Sequence, residues 1–135
     1  MIDAVSIIVQ TRPDVRVVLV GRGWGARGEE YKRDIERRCR ELALDQQVIF
    51  TGARDDIPDV LAALDVSVQC SLSENYGGTV ESLLMARPTV ATRVGGMPET
   101  VRHEETGLLV HPHDPPALAA AIMRLILCNA LERRI

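Results

Sequence analysis

Residues 66–92 read VSVQCSLSENYGGTVESLLMARPTVAT, and the fold class follows from this stretch. Val66-Ser-Val-Gln-Cys70 and Thr89-Val-Ala-Thr92 are short, β-branched runs of strand length. Between them, Ser71 to Gly78 reads as loop and Thr79 to Ala86 as helix. Two parallel strands cannot be joined by a tight turn, so a helix placed between them predicts a βαβ crossover and a parallel sheet.

The same alternation extends in both directions. Upstream, a short helix from Ile2 ends near Gln10, and Thr11-Arg-Pro-Asp14 forms a turn. Val15 to Val20 is a strand, Gly21 to Gly28 a glycine-rich loop, and Glu29 to Leu42 an amphipathic helix with Tyr31, Ile35, Cys39 and Leu42 on one side. Val48-Ile-Phe50 is a buried strand closing at Thr51-Gly52, and Asp56 caps a helix with Pro58 in its first turn. Downstream, Val94-Gly-Gly-Met-Pro98 is a loop, Pro98 opens a helical turn, Gly107-Leu-Leu-Val110 is the last strand, and Asp114 caps a helix from Pro115 to about Leu127. The prediction is an α/β domain of three layers, helices on both faces of a mostly parallel sheet. Ligands of such sheets sit at the carboxyl ends of the strands, where the loops from Gly21, Thr51, Ser71 and Arg93 begin.

Composition fits a single globular domain: 135 residues, 46% hydrophobic and 26% charged. Sixteen Lys and Arg against nineteen Asp and Glu leave a net charge of −3, which argues against nucleic acid as partner. The four aromatics Trp24, Tyr31, Phe50 and Tyr76 are too few to stack a single strand. No apolar run reaches membrane-span length and no leader pattern opens the chain, so a cytoplasmic location is expected. Cys39, Cys70 and Cys128 lie far apart without a C-x-x-C pair and are expected to be buried free thiols. Apolar periodicity starts at Ile2 and runs on to Ile135 without cap or stop, so both ends are expected to be cut.

Three segments carry chemistry. Gly23-Trp-Gly-Ala-Arg-Gly28 matches G-x-G-x-x-G between a strand and a helix, the pattern of a dinucleotide loop. The second strand, however, ends in Thr51-Gly52 and not in the acid that would hold a ribose, so a plain glycine-rich loop is the stronger reading and NAD(P) binding the weaker. Ser73-Glu-Asn-Tyr-Gly-Gly-Thr-Val-Glu81 is more specific. Gly77 and Gly78 stand where loop becomes helix, so backbone can approach a ligand and the N–H groups of Gly78, Thr79 and Val80 can face an anion. Glu81 can accept from the vicinal hydroxyls of a ribose, and Glu74 can do so for a sugar or stabilise developing positive charge. The plainer alternatives are a dipole-matching Glu81 and a solvated Glu74. Val94-Gly95-Gly96-Met97-Pro98-Glu99 repeats the device beside it. In His111-Pro-His113-Asp114 a proline separates the histidines and Asp114 serves as N-cap, so no metal site is expected. Neither a Ser-His-Asp set nor a G-x-S-x-G elbow is present.

The order of these segments resembles the C-terminal half of GT-B retaining glycosyltransferases of group 1 (family 4). The resemblance runs from Leu19-Val-Gly21-x-Gly23 through Val48-Ile-Phe-Thr-Gly52, Leu64-Asp65-Val66 and Ser71 to Glu81. It continues through Arg87-Pro-Thr-Val-Ala-Thr92, Val94 to Glu99, Glu105-Thr-Gly-Leu-Leu-Val110 and Asp114-Pro-x-Ala-Leu118. It implies a Rossmann-like α/β/α domain, residues 1–135, that binds a nucleotide-diphosphate sugar as donor for metal-independent hexosyl transfer, with retention, to a glycan, lipid or small molecule. By the same resemblance Glu81 binds the ribose, Gly77, Gly78, Thr79 and Val80 hold the diphosphate, and Glu74 is the catalytic position against the donor sugar. Gly52, Ala53 and Arg54 border the base, Gly95 and Gly96 wall the site, and Gly21 and Gly23 complete the substrate-binding set. No cofactor or metal is implied. The acceptor-binding N-terminal Rossmann domain and the family's phosphate-binding Arg and Lys are expected to precede Met1, which would leave the isolated chain inactive. A non-catalytic nucleotide-binding module, or the partner half of a split transferase, is the alternative.

Overall fold

All five predicted strands form, and every ladder between them is parallel. The computed structural model describes residues 1–73 and 77–132. The elements are α1 (Ile2–Ile8), β1 (Val17–Val20), α2 (Gly25–Glu41), β2 (Val48–Gly52), α3 (Ile57–Ala63), β3 (Ser67–Gln69), α4 (Gly77–Leu84), β4 (Thr89–Thr92), α5 (Met97–Thr100), β5 (Leu108–Val110) and α6 (Pro115–Glu132). They group into two compact units, Met1–Asp55 and Asp56–Ile135.

In the first unit β1 pairs with β2, Val17 opposite Val48 and Leu19 opposite Phe50, with a register shift before Val20 meets Gly52. Val17, Leu19 and Val48 turn toward a core built with Ile2 and Val5 of α1 and with Cys39 and Leu44, where burial contributes roughly 1.5–3 kcal/mol per large side chain. β1 starts at Val17, two residues later than the β-branched run predicts, because the N–H of Val15 still donates to the Arg12 carbonyl (3.2 Å) in the preceding turn. Helix α2 starts at Gly25 and not at Glu29, and so takes in Gly28. Ala43, in the left-handed region at φ 53°, turns the chain out of that helix.

In the second unit β4 lies between β3 and β5, with Gln69 opposite Ala91 and Ala91 opposite Leu109. Every residue of β4 and β5 is buried, as expected for strands of a parallel sheet. Ala91, Met97, Val101 and Leu109 form the core. Buried hydroxyls are paired: Ser67 and Ser82 lie 2.7 Å apart, and Ser82 donates to the Gly78 carbonyl at 2.8 Å. On β5 the N–H of Leu109 donates to Nδ1 of His103 (2.9 Å). The expected cap of α6 is present, Asp114 accepting from the N–H of Ala117 at 2.9 Å. Of the three thiols expected to be buried only Cys39 is; Cys70 is half-buried and Cys128 exposed, on a turn of α6 away from the buried Leu118, Ala119 and Ile122. No described helix is long and apolar enough to cross a membrane.

Candidate functional site

The predicted binding residues fall at the carboxyl ends of strands in both units. In Met1–Asp55, Gly21 follows β1 with φ +134° and donates its N–H to the Gly52 carbonyl at 2.9 Å. Gly52 itself has φ +72°, and Ala53 and Arg54 are exposed beyond it. The structure therefore brings Gly21 and Gly52 together and ends both strands in backbone that side-chain-bearing residues rarely adopt. Gly23 makes a close backbone contact. A Cβ placed on it would lie 2.4 Å from the carbonyl carbon of Gly28, so the two glycines let the turn press against the first turns of α2. This contact explains why α2 accepts Gly28: close backbone packing outweighs the roughly 1 kcal/mol helical penalty of glycine. Trp24, 81% exposed, stands at the head of α2 with the Arg22 guanidinium 5.1 Å from its ring centroid.

An open groove of about 250 Å³ also lies in this unit, lined by Glu36, Cys39, Arg40, Asp45, Val48 and Phe50, and it contains none of the predicted site residues. Burial, reinforced by the Asp45 carboxylate, pushes the Cys39 thiol up from its ordinary value, which disfavours the thiolate.

In Asp56–Ile135 the predicted cluster is ordered by α4. The helix begins at Gly77, two residues before the predicted start, so Gly77, Gly78, Thr79 and Val80 form its first turn. The first-turn amides of a helix lie beyond the reach of its own carbonyls and carry the positive end of its dipole. Gly78 packs on the Gln69 side chain, and a Cβ there would fall 2.7 Å from Gln69 Oε1. Glu81, in the next turn, is exposed, and its carboxylate has no partner among the described residues. The second glycine pair leads into α5, with Gly95 at φ 52° and Gly96 as the N-cap. A hydroxyl pair joins the two devices, Thr79 Oγ1 lying 2.7 Å from Thr100 Oγ1 at the end of α5. Glu74, the position expected against the donor sugar, lies outside the described residues.

Thr92, Thr100 and Gln69, which tie these turns together, were not singled out by the sequence reading. Thr92 reads as an ordinary β-branched strand residue, and nothing local signals that its hydroxyl reaches another loop. His111 and His113 are both exposed, and no group of three His, Cys, Asp or Glu side chains converges among the described residues. The second unit thus sets an exposed carboxylate one turn into a helix that opens on two glycines, an arrangement suited to an anion next to a diol.

Residues 1–127 match the family model described as glycosyl transferases group 1. The D-inositol 3-phosphate glycosyltransferase of Corynebacterium kroppenstedtii is 33% identical over 140 residues, covering 100% of this chain and 30% of that protein. The crystal structure of Anabaena Alr3699/HepE in complex with UDP superposes with a TM-score of 0.85 at 34% identity, covering 93% of this chain and 34% of that one. The C-terminal domain of the group 1 glycosyl transferase LpcC from Francisella tularensis gives a TM-score of 0.83 at 29% identity, over 93% of this chain and 66% of that one. The chain spans about a third of the length of the curated relatives it matches and corresponds to their C-terminal portion. Its fold is that of one Rossmann-like half of the GT-B arrangement.

Proposed function

The chain belongs to the group 1 glycosyl transferases, and we propose that it binds the nucleotide-diphosphate-sugar donor of such an enzyme. The observation that carries this reading is the exposed Glu81 carboxylate, without a partner among the described residues, one turn into a helix that opens on Gly77 and Gly78. The diphosphate sits against the first-turn N–H groups of α4, and the ribose hydroxyls donate to Glu81. Solved structures of the similar HepE with UDP and with UDP-glucose support this class of ligand. Glu74 is assigned to the donor sugar by family resemblance. In the complete transferase the bond from the anomeric carbon to the nucleotide diphosphate breaks and an acceptor oxygen bonds with retention, without a metal. Charge developing on the leaving diphosphate is met by backbone N–H groups and basic side chains.

Calorimetry of the chain with UDP, GDP, ADP and their sugars tests the reading. Saturable binding of one nucleoside diphosphate is expected. No binding by any of them, with the fold intact by circular dichroism, overturns it.

A further inference from the structure

The β3–β4 ladder ends at the pair Gln69 and Ala91, yet the two segments remain joined beyond it. Thr92, only 4% exposed, sends its hydroxyl to the Ser71 carbonyl at 2.6 Å, with the Gln69 carbonyl farther off at 3.3 Å. A side chain thereby continues the pairing where the backbone ladder has stopped, and it fixes the direction in which the chain leaves β3. A second bond of this kind acts on α4. Thr79, 1% exposed in the first turn, meets the hydroxyl of Thr100, which also reaches the Met97 carbonyl at 3.1 Å. Thr92 and Thr100 belong to one short segment, β4 to α5, which also contains Gly95 and Gly96. That segment therefore grips Ser71 on one side and Thr79 on the other. Buried hydroxyls with short bonds resist displacement, because a partner left unsatisfied costs its full desolvation.

We propose that Thr92 and Thr100 are positioning residues that hold the first turn of α4 in place for the β-phosphate of a bound nucleoside diphosphate. The inference rests on the donor-binding reading above and adds the residues that preorganise it. Neither threonine touches the ligand; each acts through backbone it holds. Preorganised N–H donors bind an anion more tightly than mobile ones because less ordering remains to be done on binding.

The test compares UDP with UMP, which shares base, ribose and first phosphate but lacks the β-phosphate. In Thr100→Val, which keeps the side-chain shape and removes the hydroxyl, UDP affinity is expected to fall about tenfold while UMP affinity changes less than twofold. Thr100→Ser restores the UDP affinity. Asp114→Ala, destabilised at the α6 cap, keeps both affinities and so separates positioning from general loss of stability. If Thr100→Val does not fold, Thr92→Val and Thr92→Ser are read by the same criteria. UDP affinity within twofold of wild type in the valine variant, or equal losses for UDP and UMP, overturns the proposal. Failure of the wild-type chain to bind UDP overturns the donor reading for UDP and the positioning role with it, whereas wild-type binding with an indifferent valine variant overturns the positioning role alone.

Discussion

At the scale of single residues, two positions divide the roles that glycine-rich loops combine. Glu81 is exposed and contributes nothing visible to packing, so Glu81→Ala is expected to leave stability unchanged and to weaken nucleoside diphosphate binding by about 1–3 kcal/mol, read as a raised Kd in calorimetry. Gly23 is the opposite case. A methyl group there would meet the Gly28 backbone at 2.4 Å, which a flexible side chain cannot relieve, so the turn and the start of α2 must separate. Gly23→Ala is expected to destabilise the first unit by about 1–3 kcal/mol, seen as a lower urea midpoint. A midpoint equal to wild type would show that the turn tolerates a wider separation.

At the scale of elements, the strands were legible and the helix starts were not. Val17 to Val20, Val48 to Phe50 and Thr89 to Thr92 are β-branched or apolar runs between turn residues, and local pattern suffices to place them. Helices α2 and α4 both begin earlier than propensity predicts because each contains a glycine that a local rule reads as loop. Gly28 is needed against Gly23 and Gly78 against Gln69, and such contacts between distant positions leave no local trace. For the same reason the Thr79–Thr100 bond, spanning 21 residues, has no local signal in the sequence. The α6 cap was read correctly because capping is local: Asp114 and Ala117 are three residues apart. Asp114→Ala is expected to cost about 1 kcal/mol, with faster amide exchange confined to the first turn of α6.

At the scale of the whole molecule, acid stability rests partly on two exposed arginine–carboxylate pairs. The hydrogen bond from Arg12 holds the Asp14 carboxyl at about 2, and the bidentate contact with Arg124 on α6 holds Glu104 below its ordinary value. A carboxylate depressed in the folded state binds its proton less readily there than in the unfolded chain, so its contribution is complete above the unfolded value and fades as pH falls through the folded one. The urea midpoint is therefore expected to decline from pH 5 toward pH 2, and Glu104→Gln to remove part of that decline, most visibly at low salt. The exposed indole beneath Arg22 has an optical consequence. Trp24 is the single tryptophan of the chain, so emission excited at the red edge comes from the Met1–Asp55 unit alone, while far-ultraviolet ellipticity sums all the helices. Recording both signals in one denaturant titration counts the cooperative transitions of the chain without introducing any label.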